Sequence, residues 1–176
     1  MNRTAVSLAA CLLVTVSAAH ARITRIEILR AEPFANGETF GRVGAYEKVV
    51  GRFHGVLDPK QPLNVVIVDL DKAPRNAQGQ VEYSADFYIL RPADLAMGNG
   101  ALLYDVNNRG NKRALIQFNS APASNEPTIP DQAGNGFLMR DGYSVVWSGW
   151  IPGLPAVNNN LRIDVPIAAT ASGPIE

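Results

Sequence analysis

With 176 residues, 47% of them hydrophobic and 18% charged, the chain is long enough to bury one sizeable core and too apolar to be disordered. Sixteen basic and sixteen acidic residues give a formal net charge of +0, and no Lys/Arg run is longer than Lys112-Arg113. That balance gives no electrostatic footprint for nucleic acid or an anionic membrane, so the expected partner is a small-molecule substrate or a neutral surface.

The chain opens on what reads as a signal peptide over residues 1–21. Arg3 is its positive end, and Ala5 to Val16 is an apolar run too short to span a bilayer. Ala19-His20-Ala21 has the small-x-small pattern cut by signal peptidase, which puts the mature start at Arg22 and the protein in the periplasm or outside the cell. Leu8-Ala9-Ala10-Cys11 matches a lipoprotein box locally, but Cys11 lies inside the apolar run, which disfavours lipidation there. Without residues 1–21 the chain has no cysteine, and so no disulfide, thiolate metal site or cysteine nucleophile.

Ile23 to Leu29 reads as a strand. Phe40 to Gly55, dense in glycine between aromatic and β-branched residues, suggests hairpins, with Val49, Val50 and Phe53 in strands. Asp58-Pro59 is a turn, Val65-Val66-Ile67-Val68 a strand, and Asp71 to Gly79 a polar turn region. Val81 to Leu90 is a further strand, ended by Arg91-Pro92. Residues 22–92 therefore read as an antiparallel β layer.

The pattern then changes. Ala101 to Val106 is a nearly continuous apolar run, suited to a strand buried on both faces. Arg113 to Phe118 reads as a short helix, Gly136 to Arg140 as the end of a second, and Asp141-Gly142 as its stop. Tyr143 to Trp147 is another buried strand. Strand, helix, turn and strand form a βαβ unit over residues 100–150, which implies a parallel pair. Arg162 to Ile167 is strand-like, and the tail beyond it has a linker's composition. One βαβ unit cannot cover both faces of a parallel sheet. The expected fold class is therefore α/β: an antiparallel β layer leading into the first strands of a larger, incomplete sheet.

Few residues carry chemistry. There is no Gly-x-Ser-x-Gly elbow, no His-Glu-x-x-His and no P-loop. Asp69-x-Asp71 opens like a calcium loop, but Ala73 and Gln80 stand where ligands are needed, so no metal and no cofactor is expected. His54, between Phe53 and Gly55, reads as structural. Tyr104 to Asn111 takes a strand into a polar, glycine-containing loop ahead of a helix. Such loops can aim backbone N–H groups at a developing oxyanion, and they are equally ordinary βα turns. Trp147-Ser148-Gly149-Trp150 follows the second parallel strand, where ligand crevices form; its two tryptophans are candidate substrate-binding residues or plain core and rim aromatics. Ser148 lacks the elbow glycine before it.

Read together, several segments resemble the large secreted bacterial proteins known as alpha/beta hydrolase domain-containing proteins. They are Gly41-Arg42-Val43-Gly44-Ala45-Tyr46-Glu47, Gly51 to Pro59, Asn64 to Pro74, Arg91-Pro92, Asn107-Asn108-Arg109-Gly110, and Asp141-Gly142-Tyr143 to Trp150. The resemblance covers the whole mature chain and rests on the order and spacing of individually weak pieces. It implies a serine hydrolase for ester or similar acyl substrates, with nucleophile, acid and histidine all following the strand that ends at Trp147. Residues 22–176 would then be the N-terminal part of such a domain, inactive alone. Asn108, Arg109 and Gly110 would be its oxyanion-side loop. The competing expectation is a secreted β-rich binding module, for carbohydrate or another ligand, with Trp147 and Trp150 as its platform.

Overall fold

The computed structural model describes residues 21–168. The signal-peptide reading over residues 1–21, Ala21 apart, and the question of lipidation at Cys11 fall outside the described residues. Six strands form one mixed sheet in the order β1-β2-β3-β5-β4, with β6 also on β3. β1 (Arg22–Pro33), β2 (Tyr46–Leu57) and β3 (Val81–Pro92) have 12 residues each and form an antiparallel meander. β4 (Leu102–Tyr104), β5 (Ser144–Ser148) and β6 (Ile163–Asp164) are short. β5 pairs antiparallel with Phe87 to Leu90 of β3, and β6 with Ser84 and Ala85. β4 lies parallel to β5, Leu102 opposite Ser144 and Tyr104 opposite Val146, as the βαβ spacing implies.

The α/β expectation is corrected. The described residues are mostly β, with only two short helices, α1 (Ala114–Asn119) and α2 (Phe137–Arg140), the rest of the non-strand chain being turns and 3-10 segments. This is not the layout of an alpha/beta hydrolase. Both helices stand where the sequence places helical signals, but they have 6 and 4 residues, too short to form a helical layer.

One sheet face holds the core. Tyr46, Tyr88, Leu90, Val145 and Trp147 alternate onto it. Ala114 and Leu115 of α1 and Leu138 and Met139 of α2 pack there, together with the Phe34–Val43 segment. Phe34, Phe40 and Tyr46 make a chain of ring contacts, with centroids 6.0 and 5.7 Å apart. β1 is the outer strand: Ile23, Ile26, Ile28 and Leu29 are more than half exposed, and Arg25, Glu27, Arg30 and Glu32 between them charge the edge.

Two strand expectations fail for identifiable reasons. Val65 to Val68 is a run of turns, closed by i→i+3 bonds from Asn64, Ile67 and Leu70 N–H. Both edges of β2 are filled by β1 and β3, and β5 and β6 take β3's other edge between Ser84 and Leu90, so the two strands flanking this apolar run leave it little edge to join. Val65, Val66 and Val68 stay more than two-thirds exposed. Ala101 to Val106, expected to be buried on both faces, forms only the short β4. It pairs with β5 alone, and Leu102, Tyr104 and Val106 are exposed. Among the described residues no helix is long and apolar enough to cross a membrane.

Candidate functional site

The carboxyl ends of the parallel pair β4 and β5 carry most of the residues singled out in the sequence. After Tyr104 the chain enters a loop anchored by two side chains. One is Asp105, whose Oδ2 accepts from the N–H of Arg113 (2.8 Å), the N–H of Ala114 (2.8 Å) and the indole of Trp147 (2.5 Å). This carboxylate holds the start of α1, where Arg113 contributes no side-chain cap. The other is Asn107, fully buried: its amide donates to the Ser148 carbonyl (2.5 Å) and its Oδ1 accepts the Gly110 N–H (2.8 Å). Asn107 thus ties the loop to the end of β5.

Asn108 to Asn111 close a tight turn, each end residue's N–H donating to the other's carbonyl (3.1 and 3.0 Å). Arg109 and Gly110 take the left-handed conformation between them, at φ 51° and 78°. The N–H groups of Asn108, Gly110 and Asn111 are therefore all spent inside the loop. For an oxyanion-side loop this is decisive, because of Asn108, Arg109 and Gly110 only Arg109 has an amide without a hydrogen bond among the described residues. Its side chain is exposed too. Gly110 is buried against the 160s segment, its carbonyl accepting from Leu161 N–H (3.1 Å). A Cβ there would lie 2.7 Å from the Leu161 carbonyl. Gly110→Ala is expected to cost about 2 kcal/mol, from left-handed strain and that overlap, and a urea titration would measure it.

The two tryptophans separate. Trp147 has no exposed surface and belongs to the core, edge-on to Tyr88 at 5.7 Å, so it has no face to offer a ligand. Trp150 is 50% exposed, with its indole N–H on the Asn107 carbonyl (2.8 Å), and remains able to line a pocket. Ser148 pairs with the Tyr104 hydroxyl at 2.6 Å. His54 makes no contact with this constellation: it stands on β2 opposite Ser84, beside Arg25 (2.6 Å) and Glu27 (3.4 Å). The hydrogen bond from His54 and the charge of Arg25 hold the Glu27 carboxyl below its ordinary range. No group of three or more His, Cys, Asp or Glu residues is disposed to hold a metal among the described residues.

Asp105 and Asn107, the two residues that organise the loop, are not among the candidates read from the sequence. An acid directly after a strand and eight residues before a helix start was the available signal.

Comparison with protein-family models finds no match, and neither the curated proteins nor the solved structures yield one.

Proposed function

We propose that this chain is one wall of the active site of a secreted serine-type hydrolase for an ester or similar acyl substrate, whose nucleophile and base lie outside these residues. The observation that carries the reading is that the carboxyl ends of the parallel pair β4 and β5 bring the Asn107–Asn111 turn and Trp150 together at one place on the sheet. There Arg109 offers an exposed guanidinium and a backbone N–H to a developing oxyanion or to a substrate carboxylate. Trp150 offers an apolar wall, and Asn107 holds both to the end of β5. Ser148 is not cast as the nucleophile, because the histidine of the described residues, His54, is engaged on another strand.

The test has two arms. Residues 22–176 alone are expected neither to hydrolyse p-nitrophenyl butyrate nor to react with a fluorophosphonate. A protein extended along its reading frame past Glu176 is expected to do both, with Arg109→Ala lowering kcat/KM by about 100-fold. Labelling of Ser148 in residues 22–176, or an extended protein that neither hydrolyses the ester nor reacts with the fluorophosphonate, would overturn the reading, and indifference to Arg109→Ala would remove the guanidinium from it.

A second reading, a β-rich ligand-binding module without catalysis, draws on a different place. A cavity of about 360 Å³ opens at the far end of the meander, lined by Leu57, Ile67, Leu70, Val81, Ile163 and Val165. Its size and apolar walls suit a small apolar ligand. Saturable binding of a fluorescent acyl probe, lost in Ile67→Asp, would favour this reading over the first. With Trp147 buried, a two-tryptophan carbohydrate platform does not form.

A further inference from the structure

Lys112 lies at the centre of an unusual electrostatic arrangement. It follows the Asn108–Asn111 turn and is only 5% exposed. Its backbone N–H donates to Asn125 Oδ1 (3.0 Å), and its Nζ donates to the Asn125 carbonyl (2.5 Å) and stands 4.3 Å above the centre of the Tyr88 ring. A lysine this deep is normally paired with a carboxylate. Here the nearby carboxylates are already engaged by other cations. Glu126 is shared by Lys48 (2.6 Å) and Arg30 (3.1 Å), and Glu32 by Lys48 (2.7 Å) and Arg30 (3.2 Å). Asp86 is held by Arg52 (3.3 Å) and Arg162 (3.8 Å). Arg30 on β1 and Lys48 on β2 thus share Glu32 and Glu126 between them, Lys112 makes no ion pair with either, and with Lys112 the cluster carries one uncompensated positive charge.

The charge borders a space. A cavity of about 150 Å³ is bounded by Lys112, Arg30 and the Tyr88 ring, with Leu29, Val50 and Leu161 as apolar wall. The Tyr88 hydroxyl is turned to the Pro127 carbonyl (3.1 Å). Asp86 and Glu126 also reach the lining, each already ion-paired. A volume of this order accepts a guest about the size of benzene.

We propose that this cavity binds a small carboxylate anion with a short apolar tail, its carboxylate held by the Lys112 ammonium and the Arg30 guanidinium and its tail by Leu29, Val50 and Leu161. Such an anion supplies the one negative charge the cluster lacks, together with acceptors for a buried ammonium whose one hydrogen bond is to a backbone carbonyl. The tail excludes water from the ion pair, which strengthens it. The site does not rest on the hydrolase reading, since none of its wall residues has a role in that reading.

Binding is pH-dependent with a determined sign. Burial brings the Lys112 pKa down to about 8, against the opposing pull of Glu126 and Asp86 and with Lys48 and Arg30 adding to the fall. Below that value the ammonium is present and the anion binds. Above it the neutral amine offers no charge, while an aliphatic carboxylate stays ionised throughout.

The experiment is isothermal titration of the full chain with butyrate and, separately, with inorganic phosphate. Butyrate is expected to bind saturably at pH about 7 and at least about 10-fold more weakly at pH about 9.5. Lys112→Met is expected to abolish binding, and Arg30→Ala, a change at a half-exposed residue that leaves the buried core intact, to weaken it by about 10-fold. Phosphate, which has no tail, is expected to bind more weakly than butyrate. Affinity unchanged across that pH range, binding indifferent to Arg30→Ala, or phosphate binding as tightly as butyrate would each overturn the proposal.

Discussion

Trp147→Ala is expected to lower the free energy of unfolding by about 3–5 kcal/mol, the range for removing a large aromatic from a packed interior. The residue has no exposed surface, lies opposite Tyr88 in the β3–β5 register and meets that ring edge-on at 5.7 Å and 80°. Its loss leaves a void between the sheet and the segment carrying α1 and α2, and removes the indole donor from Asp105. Trp147→Phe separates the two effects: it keeps most of the ring contact and removes only the N–H, so about 1–2 kcal/mol is expected. Urea unfolding followed by far-ultraviolet circular dichroism reads both variants. A cost for alanine no larger than that for phenylalanine would mean that the indole hydrogen bond, and not packing, is what Trp147 supplies.

The strands that were legible in the sequence are those whose burial follows from local pattern. Val81 to Leu90 and Tyr143 to Trp147 each place alternate side chains on the core face, and both form strands close to the limits read from the sequence. The parallel β4–β5 pair was legible because a strand, a helical stretch and a second strand within a short span leave few other arrangements. Val65 to Val68 shows what local pattern leaves out. Four β-branched residues in a row carry strand propensity, but a strand also needs a partner edge, and edge availability is set by β1, β5 and β6, elements distant in the chain. The same limit applies to Ala101–Val106, whose apolar run signals burial that a single-sided partner does not provide. The fold class went astray one level higher. The helical signals at 113–118 and 136–140 were real, but six and four residues of helix do not weigh against three 12-residue strands.

At the site, Asn-Asn-Arg-Gly announced a turn, and a turn formed. Which amides such a turn leaves over was not legible, because the answer depends on Asn107 folding back onto Gly110 and across to Ser148. Lys112 was invisible for the opposite reason. Next to Arg113 it reads as ordinary surface charge, and only the packing of Tyr88 and Asn125 around it makes it a buried cation.

Asp105→Ala is expected to cost about 3 kcal/mol, because one carboxylate oxygen serves three donors on two segments: the residue before α1, the first residue of α1, and the indole of β5. Nothing local replaces it. A helix of six residues does not persist on its own propensity, so α1 depends on its packing and on this cap. With the carboxylate gone, the Arg113 and Ala114 N–H groups lose their acceptor and the negative charge at the helix start disappears. The effect should therefore be visible locally as well as globally. Amide exchange is expected to accelerate in α1, at Gln117 above all, whose N–H bonds to the Arg113 carbonyl, while the central β2–β3 ladder slows or speeds only with global stability. Asp105→Asn keeps an acceptor oxygen and is expected to lose roughly half as much. Equal exchange rates in α1 for wild type and alanine variant would show that packing of Ala114 and Leu115 against the sheet, and not the Asp105 carboxylate, fixes the start of α1 and with it the Asn107–Asn111 turn.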